Sequence, residues 1–364
     1  MAILEENINI GVFPTTRYQG SKRKLLSWIY ENIKDIEFET AIDLFGGSCS
    51  VSYLLKKMDK SVTFNDYLKF NYYKGKAIIE NSNTYLTPDD VKFLIRQRGD
   101  SDNKFIQETF SGFYYLDTEN EWIDSVISNI YDLEDKYKNS ELEYKRALAY
   151  YSLFESCLIK RPFNLFHRKN LNLRINDVPR NFGNKTTWEK PFDLCFKQFA
   201  NEVNSLVIAN GRVNAAINAD ALTIENNHYD LVYIDPPYFF IDKSNVECDY
   251  RIMYHFLEGI SNYDKWGELI DYQSHTLRLR NNGNRWIEKS TVLQNFEELI
   301  GKFRNSTIVI SYKSPGIPTE EEITALVRKY KTNVRINKSD YIYALNKSNG
   351  QAGENIELLI IGTN

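Results

Sequence analysis

Asp230-Leu231-Val232-Tyr233-Ile234-Asp235-Pro236-Pro237-Tyr238 is the stretch from which the rest of the chain can be read. Leu231 to Ile234 form a short apolar, partly β-branched run, the pattern of a strand buried on both faces of a sheet. Two prolines stop it abruptly, because neither donates to a ladder and each fixes its own φ. A carboxylate, a stiff carbonyl-only backbone and an aromatic ring are thereby held at the C-terminal edge of a sheet, where open α/β sheets bind ligands. The plainer alternative is a strand and a Pro-Pro turn with Asp235 as a solvated cap.

The set suits methylation of an exocyclic amine. The amino nitrogen of adenine is a poor nucleophile because its lone pair is delocalised into the ring. The Asp235 carboxylate and the Pro236 carbonyl can accept its two N–H hydrogens and favour a tetrahedral nitrogen, while Tyr238 stacks on the base and holds it in line. Pro236 brings no N–H of its own to compete. No covalent nucleophile is needed.

Moving towards the N-terminus, Arg17-Tyr18-Gln19-Gly20-Ser21-Lys22-Arg23-Lys24 reads as a turn. Ser21 can cap the helix that follows, with Leu25, Leu26, Trp28, Ile29 and Ile33 at helical spacing. A helix N-terminus with a lysine nearby attracts anions, though a solvated basic turn has the same letters. From Ala41 to Phe45 a short strand runs through Asp43 into Gly46-Gly47-Ser48 and a helical stretch from Val51 to Met58. Such a turn lets backbone approach a ligand closely. The phosphate-loop spacing is absent. Ser61 to Asn65 reads as a second strand, and Asp66 ends it about 20 residues past the glycines, a placement suited to ribose hydroxyls. A helix cap is the alternative for Asp66.

Val213 to Ile217 is a third strand leading to Asp220, which can reach a cofactor's amino group or merely cap a turn. Beyond the Pro-Pro turn, Ser306 to Tyr312 is a buried strand. Thr319 to Tyr330 is a helix with Thr319 and Glu322 as a capping box, and Val334–Ile336, Tyr341–Leu345 and Ile356–Ile361 complete the sheet.

The span from Lys69 to about Asn210 is too long for one connection. Helical periods at Asp89–Arg98, Glu121–Lys138, Glu141–Ile159 and Phe192–Leu206 make it an inserted, mainly helical domain. The expected division is 1–75 with 207–364 for the sheet domain, and 76–206 for the insert. Residues 239–303 form a second excursion, read as a lid or a second nucleic-acid contact.

The 364 residues carry a net charge of −4, which by itself disfavours a nucleic-acid partner. The distribution says otherwise: Asp117–Glu143 holds nine acids and two bases, and Lys160–Lys185 seven bases and one acid. Within the latter, Arg161, Asn164, Arg168, Lys169, Asn170 and Arg174 offer the inventory of phosphate and base contacts, with a solvated basic loop as the alternative. His167 reads as a surface residue. Cys49, Cys157, Cys195 and Cys248 show neither zinc spacing nor a disulfide framework, so no metal is expected. No apolar run is long enough to span a membrane, and Glu5 and Glu6 argue against a secretory signal. A cytoplasmic protein is expected.

The motif order Tyr18-x-Gly20-x-Lys22, Asp43-x-Phe45-x-Gly47, Asn65-Asp66, insert, Asp235-Pro-Pro-Tyr238 resembles the Dam-like, alpha-group DNA adenine-N6 methyltransferases over nearly the whole chain. The resemblance implies an α/β fold, a Rossmann-like class I methyltransferase sheet in which the insert is a target-recognition domain. It implies S-adenosylmethionine as cofactor. Tyr18 and Lys22 would help hold its methionine end, Asp43, Phe45, Gly47 and Ser48 would lie against it, and Asp66 would bind the ribose. Asp220 and Asp235 complete the expected cofactor set, and Asp235, Pro236 and Tyr238 the catalytic one. The partner implied is double-stranded DNA, with the target adenine flipped out of the helix. A cognate restriction endonuclease and a monomeric state are further expectations. Methylation of RNA or of a protein amide, and a non-catalytic DNA-binding module of the same fold, are the alternatives. One departure is visible: Cys49 replaces the second glycine of the family's Phe-x-Gly-x-Gly pattern, and is expected to narrow the cofactor approach only mildly.

Overall fold

The computed structural model describes residues 13–15, 17–99, 103–176, 185–226, 228–239, 249–339 and 356–364. Seven strands form one sheet: β1 (Thr40–Asp43), β2 (Ser61–Asn65), β3 (Ala215–Ile217), β4 (Leu231–Ile234), β5 (Thr307–Ser314), β6 (Asn333–Ser339) and β7 (Ile356–Thr363). Their order is β3-β2-β1-β4-β5-β7-β6. The first five in that order are parallel, and β7 runs antiparallel between β5 and β6. The chain winds outward from β1 to β3, then returns to place β4 on the other side of β1. In open α/β sheets such a reversal marks the ligand-binding edge, here the C-terminal ends of β1 and β4. This is the expected Rossmann-like α/β sheet.

The strands are buried for the reason their sequences suggest. All four residues of β4 are buried, because the strand has neighbours on both edges and helices on both faces. Ile42, Val232, Ile234, Ile308 and Ile310 join one core cluster with Phe296, Leu299 and Ile300 of helix Val292–Lys302 and Ile323 and Val327 of helix Glu320–Tyr330. The alternating residues Ala41, Tyr233 and Val309 point to the other face. Helix Glu320–Tyr330 begins with the capping box read from the sequence: Thr319 Oγ1 accepts from Glu322 N (3.2 Å) and a Glu322 carboxylate oxygen accepts from Thr319 N (2.8 Å). β3 is shorter than its apolar letters imply, since Val213 is 84% exposed and precedes the ladder. The strand expected at Tyr341–Leu345 lies outside the described residues.

The turn after β1 is fixed by one ring. A Cβ built on Gly46 would sit 2.1 Å from the Phe64 ring of β2, and one on Gly75 would sit 2.3 Å from it. Phe64 is thus clamped between two backbones that only glycine permits to come so close.

The chain divides into two compact units: residues 1–75, 210–249 and 281–364, and residues 76–209 with 250–280. The stretch 250–280, expected in the sheet domain, therefore belongs with the helices. Its aromatic residues explain why. Phe256 lies 5.2 Å from Phe110 and 5.1 Å from Phe166, and Trp266 lies 4.9 Å from Phe110, centroid to centroid. These residues need a core, and the helical unit supplies it. The remainder of the excursion, 281–303, packs on the sheet through Trp286 and helix Val292–Lys302. In the helical unit a buried Asp90–Lys145 pair at 2.6 Å links helix Pro88–Leu94 to helix Asn139–Ile159. No helix among the described residues is long and apolar enough to cross a membrane.

The clamp on Phe64 makes a stability prediction. Gly46→Ala forces a Cβ into the ring and should cost about 1–3 kcal/mol in urea unfolding of the sheet unit, the usual scale of overpacking. Combining it with Phe64→Leu should give a cost well below the sum of the two single changes, because the clash is then relieved. Simple additivity would show that Phe64 does not set the turn.

Candidate active site

The end of β4 delivers Asp235 to this edge beside the end of β1. Asp43 lies in register with Tyr233 of β4 and Phe64 of β2, so three acidic strand ends, Asp43, Asp66 and Asp235, converge. Lys22 enters among them from the N-terminal segment and is only 3% exposed. Its Nζ stands 2.9 Å from Asp235 Oδ1, 2.8 Å from Tyr238 Oη and 3.3 Å from Glu357 Oε1. Tyr238 Oη donates to the same Oδ1 of Asp235. Both contacts fall on Oδ1, and among the described residues Oδ2 takes none. The Asp235 side chain keeps a 15% opening. Burial raises its carboxyl above the usual range, while Lys22 and the Tyr238 hydroxyl hold it down.

Asp43 is more enclosed. Ser52 Oγ donates to its Oδ2 at 2.6 Å, and Oδ1 is buried without a hydrogen-bond partner among the described residues. Burial, with some repulsion from Asp235 and Asp66 and against the pull of Ser52, pushes this carboxyl up to about 7. Asp66 is pushed up to about 6 by burial, restrained by backbone N–H groups and by the charge of Lys74. Its Oδ2 accepts from Gly47 N and its Oδ1 from Leu68 N, both at 2.8 Å. Asp66 is therefore both the cap considered from the sequence and a clamp on the glycine turn.

That turn is built from the remaining predicted residues. Gly47 has φ +46°, and a Cβ there would lie 3.2 Å from the Tyr18 ring. The Tyr18 hydroxyl accepts from Asn71 Nδ2 at 3.3 Å. Ser48 forms a triangle of hydroxyls with Ser21 (3.0 Å) and Ser50 (2.9 Å), joining the N-terminal segment to the turn. Phe45 packs edge-on against Trp286, centroids 4.9 Å apart. Cys49 is fully buried with φ +63°. The departure from glycine thus falls on backbone conformation rather than on the width of the approach. A left-handed non-glycine residue costs about 1–2 kcal/mol.

Tyr18, Lys22, Asp43, Phe45, Gly47, Ser48, Asp66, Asp235, Pro236 and Tyr238 thus belong to one unit, around the C-terminal edge of its sheet. Asp220 is placed differently. It caps the turn Ala221–Thr223, accepting from Leu222 N at 3.0 Å, and no described hydrogen bond ties it to the cluster. Sequence reading missed Glu357, Ser52 and Trp286, and gave Asn65 a place in a motif but no role. Asn65 stitches three strand ends, donating to Leu44 O and Ala219 O and accepting from Ala219 N. A signal for Glu357 existed: it is the one charged residue in the apolar run Ile356–Ile361.

In the helical unit the basic loop splits. Arg161 is 1% exposed, its guanidinium donating to Leu165 O, Tyr114 O and Arg168 O and lying over the Tyr114 ring. Arg174 makes a two-pronged pair with Glu119, at 2.6 and 2.9 Å. Both were expected on a DNA face and are instead used inside the fold, because their length lets them reach buried acceptors. Arg168 and Lys169 are exposed, Asn164 and Asn170 half-buried. Lys169 Nζ lies 3.6 Å from the centre of the Phe113 ring. Beside them Phe163 is 57% exposed with φ +58°, a conformation rare for a bulky side chain. Residues 177–184 of the basic segment lie outside the described residues.

Comparison with known proteins gives a consistent picture. A family model described as D12 class N6 adenine-specific DNA methyltransferase matches residues 18–326. The chain is 27% identical to Type II methyltransferase M2.HphI of Haemophilus parahaemolyticus, over 97% of this chain and 98% of that one. It is 28% identical to Type II methyltransferase M.FokI of Planomicrobium okeanokoites, over 93% of this chain and 51% of that one. Modification methylase StsI of Streptococcus sanguinis is 26% identical over 94% of this chain and 51% of its own length. The chain thus spans about half the length of the latter two relatives.

The raised carboxyls make stability depend on pH in a definite direction. Asp43 titrates at about 7 when folded against an ordinary 3.8, so the native state holds the proton more tightly. The resulting stabilisation is complete below pH 3.8 and is lost as pH rises through about 7. Asp43→Asn, neutral throughout, should match wild type near pH 4 and exceed it at pH 8 by up to about 4 kcal/mol in urea unfolding without cofactor. Parallel pH profiles would mean that Asp43 is not the strained acid.

Proposed function

The chain belongs to the D12 class N6 adenine-specific DNA methyltransferase family, and from that premise we propose how its own residues act on a specific duplex site. It is a DNA adenine-N6 methyltransferase, and the target adenine is turned out of the helix so that its amino group meets Asp235. The observation that carries this reading is the one-sided occupation of Asp235. Lys22 and Tyr238 hold Oδ1, leaving Oδ2 to accept one N–H of the target amine. The Pro236 carbonyl is assigned the other N–H. With both hydrogens engaged, the nitrogen lone pair is drawn out of the ring and directed at the methyl donor. Lys22 fixes the carboxylate and the Tyr238 ring together, so neither has to reorganise when the base arrives.

S-adenosylmethionine fits the residues present. Its sulfonium and ammonium outweigh its single carboxylate, and three buried carboxyls with raised affinity for protons favour such a net cation in their midst. The Asp43 Oδ1, buried without a partner among the described residues, is one acceptor such a ligand satisfies. The glycine turn, Tyr18, Phe45 and Ser48 are assigned to the cofactor's body, and Asp66 to its ribose, through lone pairs not used by Gly47 and Leu68. When bound, the cofactor supplies an electrophilic methyl group on sulfur. Asp235 Oδ2, hydrogen-bonded to the amine, would accept the proton that the nitrogen must lose on methylation.

DNA recognition is assigned to the helical insert. Its exposed Arg168 and Lys169 suit phosphates, Asn164 and Asn170 suit base edges, and the outward Phe163 suits contact with an unstacked base. The relatives' names, type II methyltransferase and modification methylase, support a place in a restriction–modification system beside an endonuclease that reads the same site. A monomer working in the cytoplasm, where that DNA lies, completes the reading.

Two measurements test it. Asp235→Ala should lower methyl transfer from labelled S-adenosylmethionine to DNA by a factor of about 100 or more, the scale of losing one preorganised electrostatic partner. Lys22 keeps Glu357 in that variant, so the fold should persist; near wild-type turnover would reject the role of Asp235. Neutralising Arg168 and Lys169 together should weaken DNA binding and reduce the slope of log affinity against log salt by up to about 2. An unchanged slope and affinity would move recognition elsewhere.

A further inference from the structure

We infer that Glu357 is a positioning residue for methyl transfer: by sharing the Lys22 ammonium with Asp235, it sets how strongly Asp235 can accept the target amine. The inference rests on the reading of Asp235 as that acceptor. Glu357 sits on β7, seventh of the strands in sequence and far from every motif read above. Its side chain is fully buried, with Oε1 3.3 Å from Lys22 Nζ and 2.7 Å from Ser311 Oγ of β5, which donates to it. Among the oxygens that the Lys22 ammonium faces are one each on Asp235, Tyr238 and Glu357.

A lysine paired with Asp235 alone would neutralise it and leave a poor acceptor. A lysine split between two carboxylates fixes the geometry of Asp235 while leaving it basic. Buried at 3% exposure, Lys22 has little water to screen its charge, so the two carboxylates compete for it directly. The other charged and titratable groups around the cluster are Asp43 and Asp66 from the ends of β1 and β2, Tyr233 of β4, and Tyr312 of β5. Lys313, buried on β5, is in register with Glu357 across the β5–β7 pair. Glu357→Gln touches none of them and so reports Glu357 directly, whereas Ser311 also neighbours Tyr233.

Two substitutions should move the same property in opposite directions. Glu357→Gln keeps the shape but returns the whole Lys22 charge to Asp235. Ser311→Ala removes a donor from Glu357, which then draws Lys22 away from Asp235. The test is single-turnover methyl transfer by the full chain, from labelled S-adenosylmethionine to unmethylated genomic DNA, as a function of pH. For Glu357→Gln the plateau rate should fall about tenfold and the acid limb should move to lower pH by at least about half a unit. The KM for S-adenosylmethionine should change by less than about threefold, and Glu357→Asp should restore most of the rate. For Ser311→Ala the acid limb should move to higher pH. Folded Glu357→Gln with a wild-type plateau and limb would overturn the inference. Should that variant not fold, an unmoved limb in Ser311→Ala overturns it. Asp235→Ala separates the levels: if it is inactive while Glu357→Gln is silent, only the role of Glu357 fails, whereas an active Asp235→Ala removes the premise.

Discussion

One buried ammonium holds the candidate active site together. Lys22 comes from the N-terminal segment, Asp235 and Tyr238 from the turn after β4, and Glu357 from β7, yet all meet within 3.3 Å of a single nitrogen. Removing a charge of this kind from water is expensive, and only close, hydrogen-bonded partners offset the cost. The cluster can therefore exist only when the N-terminal segment, the centre of the sheet and its antiparallel strand are all in place. Completion of the fold and assembly of this cluster are the same event.

The acids around Lys22 are arranged against their own ionisation. Asp43 and Asp66 are pushed up to about 7 and about 6, chiefly because burial withholds solvent from their charged forms. Such strain is typical of a site whose ligand supplies the missing charge. On the proposed reading a cationic methyl donor would meet that requirement, and the carboxyls that weaken the empty fold would favour the loaded one. The glycine turn shows a related compromise. Asp66 clamps Gly47, Phe64 presses on Gly46, and Cys49 accepts a left-handed backbone to start helix Ser50–Lys57. Strain of this sort persists where the surroundings over-determine it.

The helical unit uses its polar and aromatic residues differently. Arg161 and Arg174 spend their donors on carbonyls and on Glu119, which stiffens the loop that presents Arg168, Lys169 and Phe163. A cation buried in this way shapes the surface without contributing charge to it. The density of basic letters therefore overstated the positive face, and the aromatic letters of 250–280 belong to the core beneath it.

The sequence by itself determined the strands on either side of the reversal, the turn residues after β1, and the carboxylate at the end of β4. These are local facts: a buried strand needs an apolar run, a tight turn needs glycine, and two prolines must stop a ladder. The capping box at Thr319 and the bounds of helix Phe192–Leu206 were legible for the same reason. The tertiary structure alone decided which oxygen of Asp235 stays open, which arginines are internal, and where 250–280 belongs. It also brought Glu357 to Lys22 across most of the chain, and gave Asp66 a backbone clamp that its motif does not announce. Charge pairing and burial depend on neighbours distant in sequence, and a residue's letters do not record which neighbours the fold will bring.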